Sequence, residues 1–183
     1  MELRYIVFDL EATCWRGRPP NGYNEIIEIG AIKVDAYGDP GEIFSRFVKP
    51  TVNPLLSPFC KQLTSITQEQ VDSARTYPKV IQEFLDWSEL LDDDVKMISW
   101  GENDKALFNS DCKLHKLEYD WTEKHVNLKQ HYKELKRHSK HMGLKNALTH
   151  EGFEFDGDPH RGIDDALNLA KIFIKYIDEW NIQ

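Results

Sequence analysis

The chain has 183 residues, 40% of them hydrophobic and 11% aromatic, with a formal net charge of −8. That length suits one domain spanning 1–183 with a sizeable core, and leaves little room for a second. The acidic balance argues against a protein that coats nucleic acid non-specifically, and no apolar run approaches the length of a membrane span.

Residues 3–10 read as a first strand, whose apolar run Tyr5-Ile6-Val7-Phe8 ends at Asp9-Leu10-Glu11. Met1-Glu2-Leu3-Arg4 runs straight into it, so no signal peptide is expected. Residues 14–24, with Gly17, Pro19, Pro20 and Gly22, form a polar connection. A second strand covers Ile26 to Val34. After the turn signals Gly38, Pro40 and Gly41, Ile43 to Val48 form a third. The links are too short for helical crossovers, which predicts an antiparallel meander. Residues 50–76 are loop and short helix. Residues 78–91 place Val80, Ile81, Phe84, Leu85 and Leu91 on one helical face. A strand at 95–100 leads through Gly101 into a helix near 104–115. Residues 123–150 are polar and helical in two pieces, broken near Gly143. The last helix, about 163–180, carries Ile163, Leu167, Ala170, Ile174 and Ile177 on one stripe. This order predicts an α/β fold with a mixed central sheet, a meander plus parallel strands, flanked by helices.

Asp9 and Glu11 are two apart on a strand, so they share one face, roughly 7 Å apart along the chain. Carboxylates at the mouth of a buried strand are costly unless something positive lies between them, a need that two hard divalent cations would meet. Taken alone, the pair is also what a strand end leaving the core would show. Asp104 follows the strand at 95–100, where it reads equally as an ordinary helix N-terminal aspartate. His160 lies on a tight loop entering the last helix, and Asp164 and Asp165 both fall off that helix's apolar stripe, so periodicity does not choose between them. Together these residues would supply four metal ligands and one base. That set suits phosphodiester hydrolysis, with two cations activating water and steadying the leaving oxygen and histidine taking the proton.

The chain also resembles a known family. Phe8-Asp9-Leu10-Glu11-Ala12-Thr13-Cys14, Glu25 to Gly30, Asn53-Pro54 through Phe59-Cys60, Leu63 to Gln68, Asn103-Asp104 and His160-Arg161-Gly162-Ile163-Asp164-Asp165 run in family order along nearly the whole sequence. They resemble the DEDDh 3'-to-5' exonucleases of the ribonuclease T and DNA polymerase III epsilon-like superfamily, whose fold is similar to ribonuclease H. The resemblance is strongest to the Eri-type RNA exonucleases and the KapD-type sporulation-inhibitor proteins. It implies Asp9, Glu11, Asp104 and Asp165 as ligands of two Mg²⁺ or Mn²⁺ ions and His160 as general base, with Glu11 also catalytic. It selects Asp165 over Asp164. It places the backbone of Ala12 and Thr13 near the terminal 3'-hydroxyl and Phe59 under the terminal base. Two departures stand out. Ser65 replaces a more usual glycine, which predicts a differently shaped turn. Asn103 stands where some relatives carry an aromatic, so that Trp15 or Trp100 would complete the base's surroundings instead.

Residues 129–145 hold Lys129, Lys133, Lys136, Arg137, Lys140 and Lys145 against the single acid Glu134. They read as a path for a nucleic-acid backbone or as a solvated helix face. Arg161 is a candidate for contact with the scissile phosphate. Cys14, Cys60 and Cys112 are odd in number and far apart, as reduced cytoplasmic thiols are; Cys112 with His115 resembles half a zinc site, but no second pair follows. The expected function is a metal-dependent 3'-to-5' exonuclease acting on single-stranded RNA ends, with DNA a second substrate, no membrane association and no indicated protein partner. The rival readings are a regulatory protein-binding module on the same fold and a DNA-proofreading subunit.

Overall fold

In this computed structural model residues 3–182 are described, so the reading of Met1 and Glu2 falls outside them. The strands are β1 (Arg4–Ala12), β2 (Ile26–Val34), β3 (Pro40–Lys49), β4 (Arg75–Thr76), β5 (Val95–Ser99) and β6 (His125–Asn127). The helices are α1 (Pro58–Thr64), α2 (Gln68–Asp72), α3 (Tyr77–Ser88), α4 (Asn103–His115), α5 (Leu128–Leu135), α6 (Leu144–His150) and α7 (Gly162–Lys175). The strands form one six-stranded sheet in the order β4-β3-β2-β1-β5-β6. β1, β2 and β3 pair antiparallel, as their short links require, whereas β5 joins β1 in parallel and β6 joins β5 in parallel. The mixed sheet expected from the element order is therefore present.

Alternation along β1 divides the core. Ile6, Phe8 and Leu10 face α3 and α4, packing with Ile29, Ala31, Phe84 and Phe108. Val7 faces the opposite side with Ile32, Val34 and Ile98, against Leu169, Ala170 and Phe173 of α7. β2 is buried along nearly its whole length because both faces are covered. Complete burial of one such Phe or Ile contributes roughly 1.5–3 kcal/mol.

Several boundaries depart from expectation. α3 stops at Ser88, where Glu89 takes a left-handed φ of 56° and caps back to Leu85 O, so Leu91 lies beyond the helix and is exposed rather than on its apolar face. Pro40 and Gly41, read as a turn, open β3. β4 and β6 were too short to show a period, and the 123–150 stretch read as helical contains β6. α7 buries Ala166, Leu169, Ala170, Ile172 and Phe173, a stripe rotated from the one expected. Ser65 adopts φ 59° at the end of α1, the left-handed conformation a glycine would supply. Among the described residues no helix is long and apolar enough to cross a membrane.

Candidate active site

β1 carries Asp9 opposite Gly30 and Glu11 opposite Glu28, all on the face covered by α7. Gly30 is what allows the helix so close. A Cβ there would lie 2.1 Å from Ile163 N and 2.2 Å from Gly162 C, so any side chain would lift the start of α7 off β2. With the helix seated, Asp165 in its first turn comes beside Glu11. His160, at the left-handed φ of 64°, donates its backbone N–H to Asp165 Oδ2 at 2.8 Å. Ligand atoms of Glu11, His160 and Asp165 all lie within 4.8 Å of one another. Asp164 turns away and accepts the Asp158 N–H at 3.0 Å, fixing the loop at Gly157. The choice that helical periodicity left open is thus made by packing.

Asp104 arrives from α4 because β5 pairs in parallel with β1 and both chains leave the sheet at the same end. It is buried, with Ser99 and the Leu10 backbone close enough to favour its ionised form. Ser99 lies 2.8 Å from His125 Nε2, so β6 supports this corner of the cluster from behind.

These acids repel one another in a poorly solvated place. Burial first, then the charges of Asp104, Asp165, Glu11 and Glu28, hold Asp9 well above the usual carboxylate range. Burial and the Asp165 and Glu28 charges push Glu11 up to about 8. Burial raises Asp104 to about 6 against the opposing influence of Ser99, the Leu10 backbone and its own backbone N–H, and raises Asp165 to about 6 against the bond from His160. No salt bridge neutralises Asp9 or Glu11 among the described residues. A set of hard oxygen donors, crowded and without a cation of its own, fits divalent Mg²⁺ or Mn²⁺.

Glu28, on β2, organises the site. Fully buried, it takes Arg161 Nε at 3.1 Å and Nη2 at 3.0 Å, and the Gly162 N–H at 2.9 Å. Arg161, also 5.2 Å over the Phe47 ring, is engaged in tying the His160 loop to β2 rather than held out toward a phosphate. The available signal was an acid amid the apolar run of β2. Glu25 does similar work: its carboxylate accepts the N–H groups of Thr51, Val52 and Asn53, fixing the loop that leads to α1.

The remaining candidates divide. Thr13 is fully buried, with its N–H, hydroxyl and carbonyl bonded to Glu25 and Asn24. It shapes the turn after β1, and such burial does not fit an approach to a terminal hydroxyl; Ala12 beside it stays half-exposed. Phe59 is half-buried on α1 with the Arg16 guanidinium 5.8 Å above its ring, and Trp15 is half-buried in the neighbouring loop. Asn103 is exposed next to Asp104. Trp100 packs on Tyr132 and donates to Met142 O at 3.0 Å, a structural commitment that ties the 140s segment to β5. Of the basic stretch, Lys136 is bound to Glu151 and the Tyr176 hydroxyl. Cys112 is buried against the Tyr77 hydroxyl and His115 stacks on the Tyr77 ring, a packing role for both.

The profile of the RNase T exonuclease family matches residues 6–173, which contain every residue of this cluster. The chain belongs to that family. Among the family's curated members, human 3'-5' exoribonuclease 1 is 34% identical over 181 residues, covering 94% of this chain and 52% of the human protein. The 3'-5' exonuclease eri1 of Schizosaccharomyces pombe is 32% identical over 206 residues, covering 97% and 69%. The chain thus spans about half the length of the human relative. A solved exonuclease of similar fold is the nuclease domain of 3'hExo, a DEDDh family member, bound to rAMP. It superposes with a TM-score of 0.89 at 31% identity, covering 100% of this chain and 96% of that one. The ribonuclease H-like exonuclease fold is therefore that of this chain.

Proposed function

We propose that the chain is a single-domain, metal-dependent 3'-to-5' exonuclease that trims single-stranded RNA ends, accepts DNA less readily, and releases nucleoside 5'-monophosphates. The observation that carries this is the convergence of Asp9, Glu11, Asp104 and Asp165, drawn from three separate elements, with His160 exposed at their rim. The names of the human and yeast relatives, and the ribonucleotide bound by the solved nuclease domain, support the polarity and the preference for RNA. Free thiols at Cys14, Cys60 and Cys112 are consistent with a cytoplasmic setting.

In this reading two Mg²⁺ or Mn²⁺ ions, when bound, supply the positive charge that activates a water and steadies the leaving 3'-oxygen. The chain's own groups do the rest. Asp9, Glu11, Asp104 and Asp165 would hold the ions, Asp104 from its buried place at the start of α4. His160 takes the proton of the attacking water at its ring, with Glu11 within 4.8 Å to orient both. The new P–O bond forms as the bond to the penultimate 3'-oxygen breaks. Phe59 offers a stacking surface that tolerates any base.

A time course on matched 5'-labelled RNA and DNA with Mg²⁺, Mn²⁺ or EDTA tests this. A ladder shortening from the 3' end, abolished by EDTA and reduced at least about a thousandfold in Asp9→Ala and Asp165→Ala, is expected. Undiminished metal-dependent hydrolysis in both variants refutes it. His160→Ala should lower kcat by roughly 10²- to 10⁴-fold with little change in RNA affinity; parallel losses in both would remove the base assignment.

A further inference from the structure

Asp104 reaches the cluster from the first turn of α4, yet Glu102 at that helix's N-cap offers no side-chain cap. Behind the carboxylate lie Ser99, at the end of β5, and His125, at the start of β6. The parallel pairing that sets Met97 beside His125 brings the two within reach. The His125 side chain is only 2% exposed, and its ring stands edge-on to Phe8 at 6.0 Å. Burial holds the imidazole down to about 4, so it is neutral and carries a single N–H.

One hydroxyl proton has several neighbours to serve. Ser99 Oγ donates to Gly101 O at 3.2 Å, and Ser99 is also close enough to Asp104 to favour its ionised form. A carbonyl and a carboxylate only accept, so both call on the Ser99 proton. His125 Nε2, 2.8 Å from Ser99 Oγ, is therefore the donor in its own bond to Ser99. The other ring nitrogen fits this assignment. Nδ1 stands 4.0 Å from Glu102 Oε2, beyond hydrogen-bond range, and Glu102 is engaged by Asn127 Nδ2 at 3.0 Å.

We propose that His125 is a positioning residue: it donates its Nε2 proton to Ser99, which aims the Ser99 hydroxyl at Asp104 and holds that carboxylate in place for a divalent cation. The proposal rests on the metal-dependent exonuclease reading and names a residue that touches neither metal nor RNA. Groups behind a ligand fix its orientation, and their loss is felt in metal affinity. With the proton on Nδ1 instead, Ser99 would have to donate to Nε2, and Asp104 would lose the hydroxyl.

The test titrates Mn²⁺ into the RNA-free chain, followed by electron paramagnetic resonance, for the parent, His125→Phe, His125→Gln, Ser99→Ala and the double variant Ser99→Ala/His125→Phe. Melting in EDTA checks that each is folded, and His115→Phe, at a histidine stacked on Tyr77, is the packing control. His125→Phe and Ser99→Ala should each weaken Mn²⁺ binding roughly tenfold or more, and the double variant no further than Ser99→Ala alone. Ser99→Ala reads the same link from its other end should His125→Phe not fold. His125→Gln, whose amide supplies an N–H in place of Nε2, should stay within about threefold of the parent. At saturating metal, KM for single-stranded RNA should stay within about twofold in every variant. Unchanged Mn²⁺ affinity in the single variants, additive losses in the double variant, or a Gln variant as weak as the Phe variant overturns the role. So does a KM that rises in step with the metal constant, the mark of a general packing loss. Hydrolysis is scored separately. A parent that binds Mn²⁺ in this pattern yet degrades no RNA refutes the exonuclease reading and leaves the His125 role standing, whereas a parent that binds no Mn²⁺ overturns both.

Discussion

Two carboxylate centres in this molecule meet the same physical difficulty in opposite ways. Glu151, at the end of α6, has a side chain only 3% exposed and is surrounded by donors: Lys175 at 2.8 Å, Lys136 at 3.1 Å, and the Tyr132 and Tyr176 hydroxyls at 2.7 and 2.5 Å. Burial alone would raise it, but those bonds outweigh the burial and hold it well below the usual range. Asp9 and Glu11 have no such company, and burial with like charge pushes both up. A buried acid with its own cations is part of the scaffold. A buried group of acids with none has been left wanting a ligand that the chain does not provide.

The Glu28–Arg161 pair, between these extremes, gives the largest expected effect on stability. Arg161→Ala would leave Glu28 fully buried without its cation, at a cost of about 3 kcal/mol in chemical unfolding. Replacing Glu28 by Gln in the same chain should recover part of that loss. A neutral result for Arg161→Ala would mean that the guanidinium does not tie the His160 loop to β2.

Glu151→Gln should cost about 2 kcal/mol, less because Lys136 and Lys175 reach water. Its pH signature is specific. The folded-state pKa is depressed, so the stabilisation is present above the unfolded value near 4.3 and is lost as pH falls below it. Acid unfolding curves of parent and variant should therefore converge at low pH, and curves that stay parallel would contradict the assignment.

The active-site acids should behave in reverse, with the smallest effect. Their folded pKa values are raised, to about 8 for Glu11 and about 6 for Asp104 and Asp165. Without metal, stability is greatest below the unfolded values near 4 and declines as pH rises through 6 to 8. Asp9→Asn should raise metal-free stability at pH 8 by about 1 kcal/mol while abolishing activity. Thermal unfolding in EDTA from pH 5 to 8, then with Mg²⁺, checks both; a melting temperature that rises with pH in EDTA would sink the comparison.

Much of the site was legible before any fold was known. The Asp-x-Glu at the end of β1 and the His-to-Asp spacing entering α7 are local patterns, and strand alternation alone puts Asp9 and Glu11 on one face. Asp104 was legible as a candidate, but its place depended on β5 pairing in parallel with β1, a contact 91 residues apart in the chain. Arg161 shows the limit more sharply. Its neighbour His160 invites a role at the phosphate, whereas its guanidinium is held by Glu28 on a strand 133 positions earlier.

The sequence by itself determined the meander and the candidate acids, because turn chemistry and residue type act over a few neighbours. Only the tertiary structure decided which acids remain without a cation. It turned Asp164 away to the Gly157 loop, set Glu28 against Arg161, and gathered Lys136 and Lys175 at Glu151. Those outcomes turn on close approaches such as α7 on Gly30, where the absence of one Cβ sets which distant side chains meet.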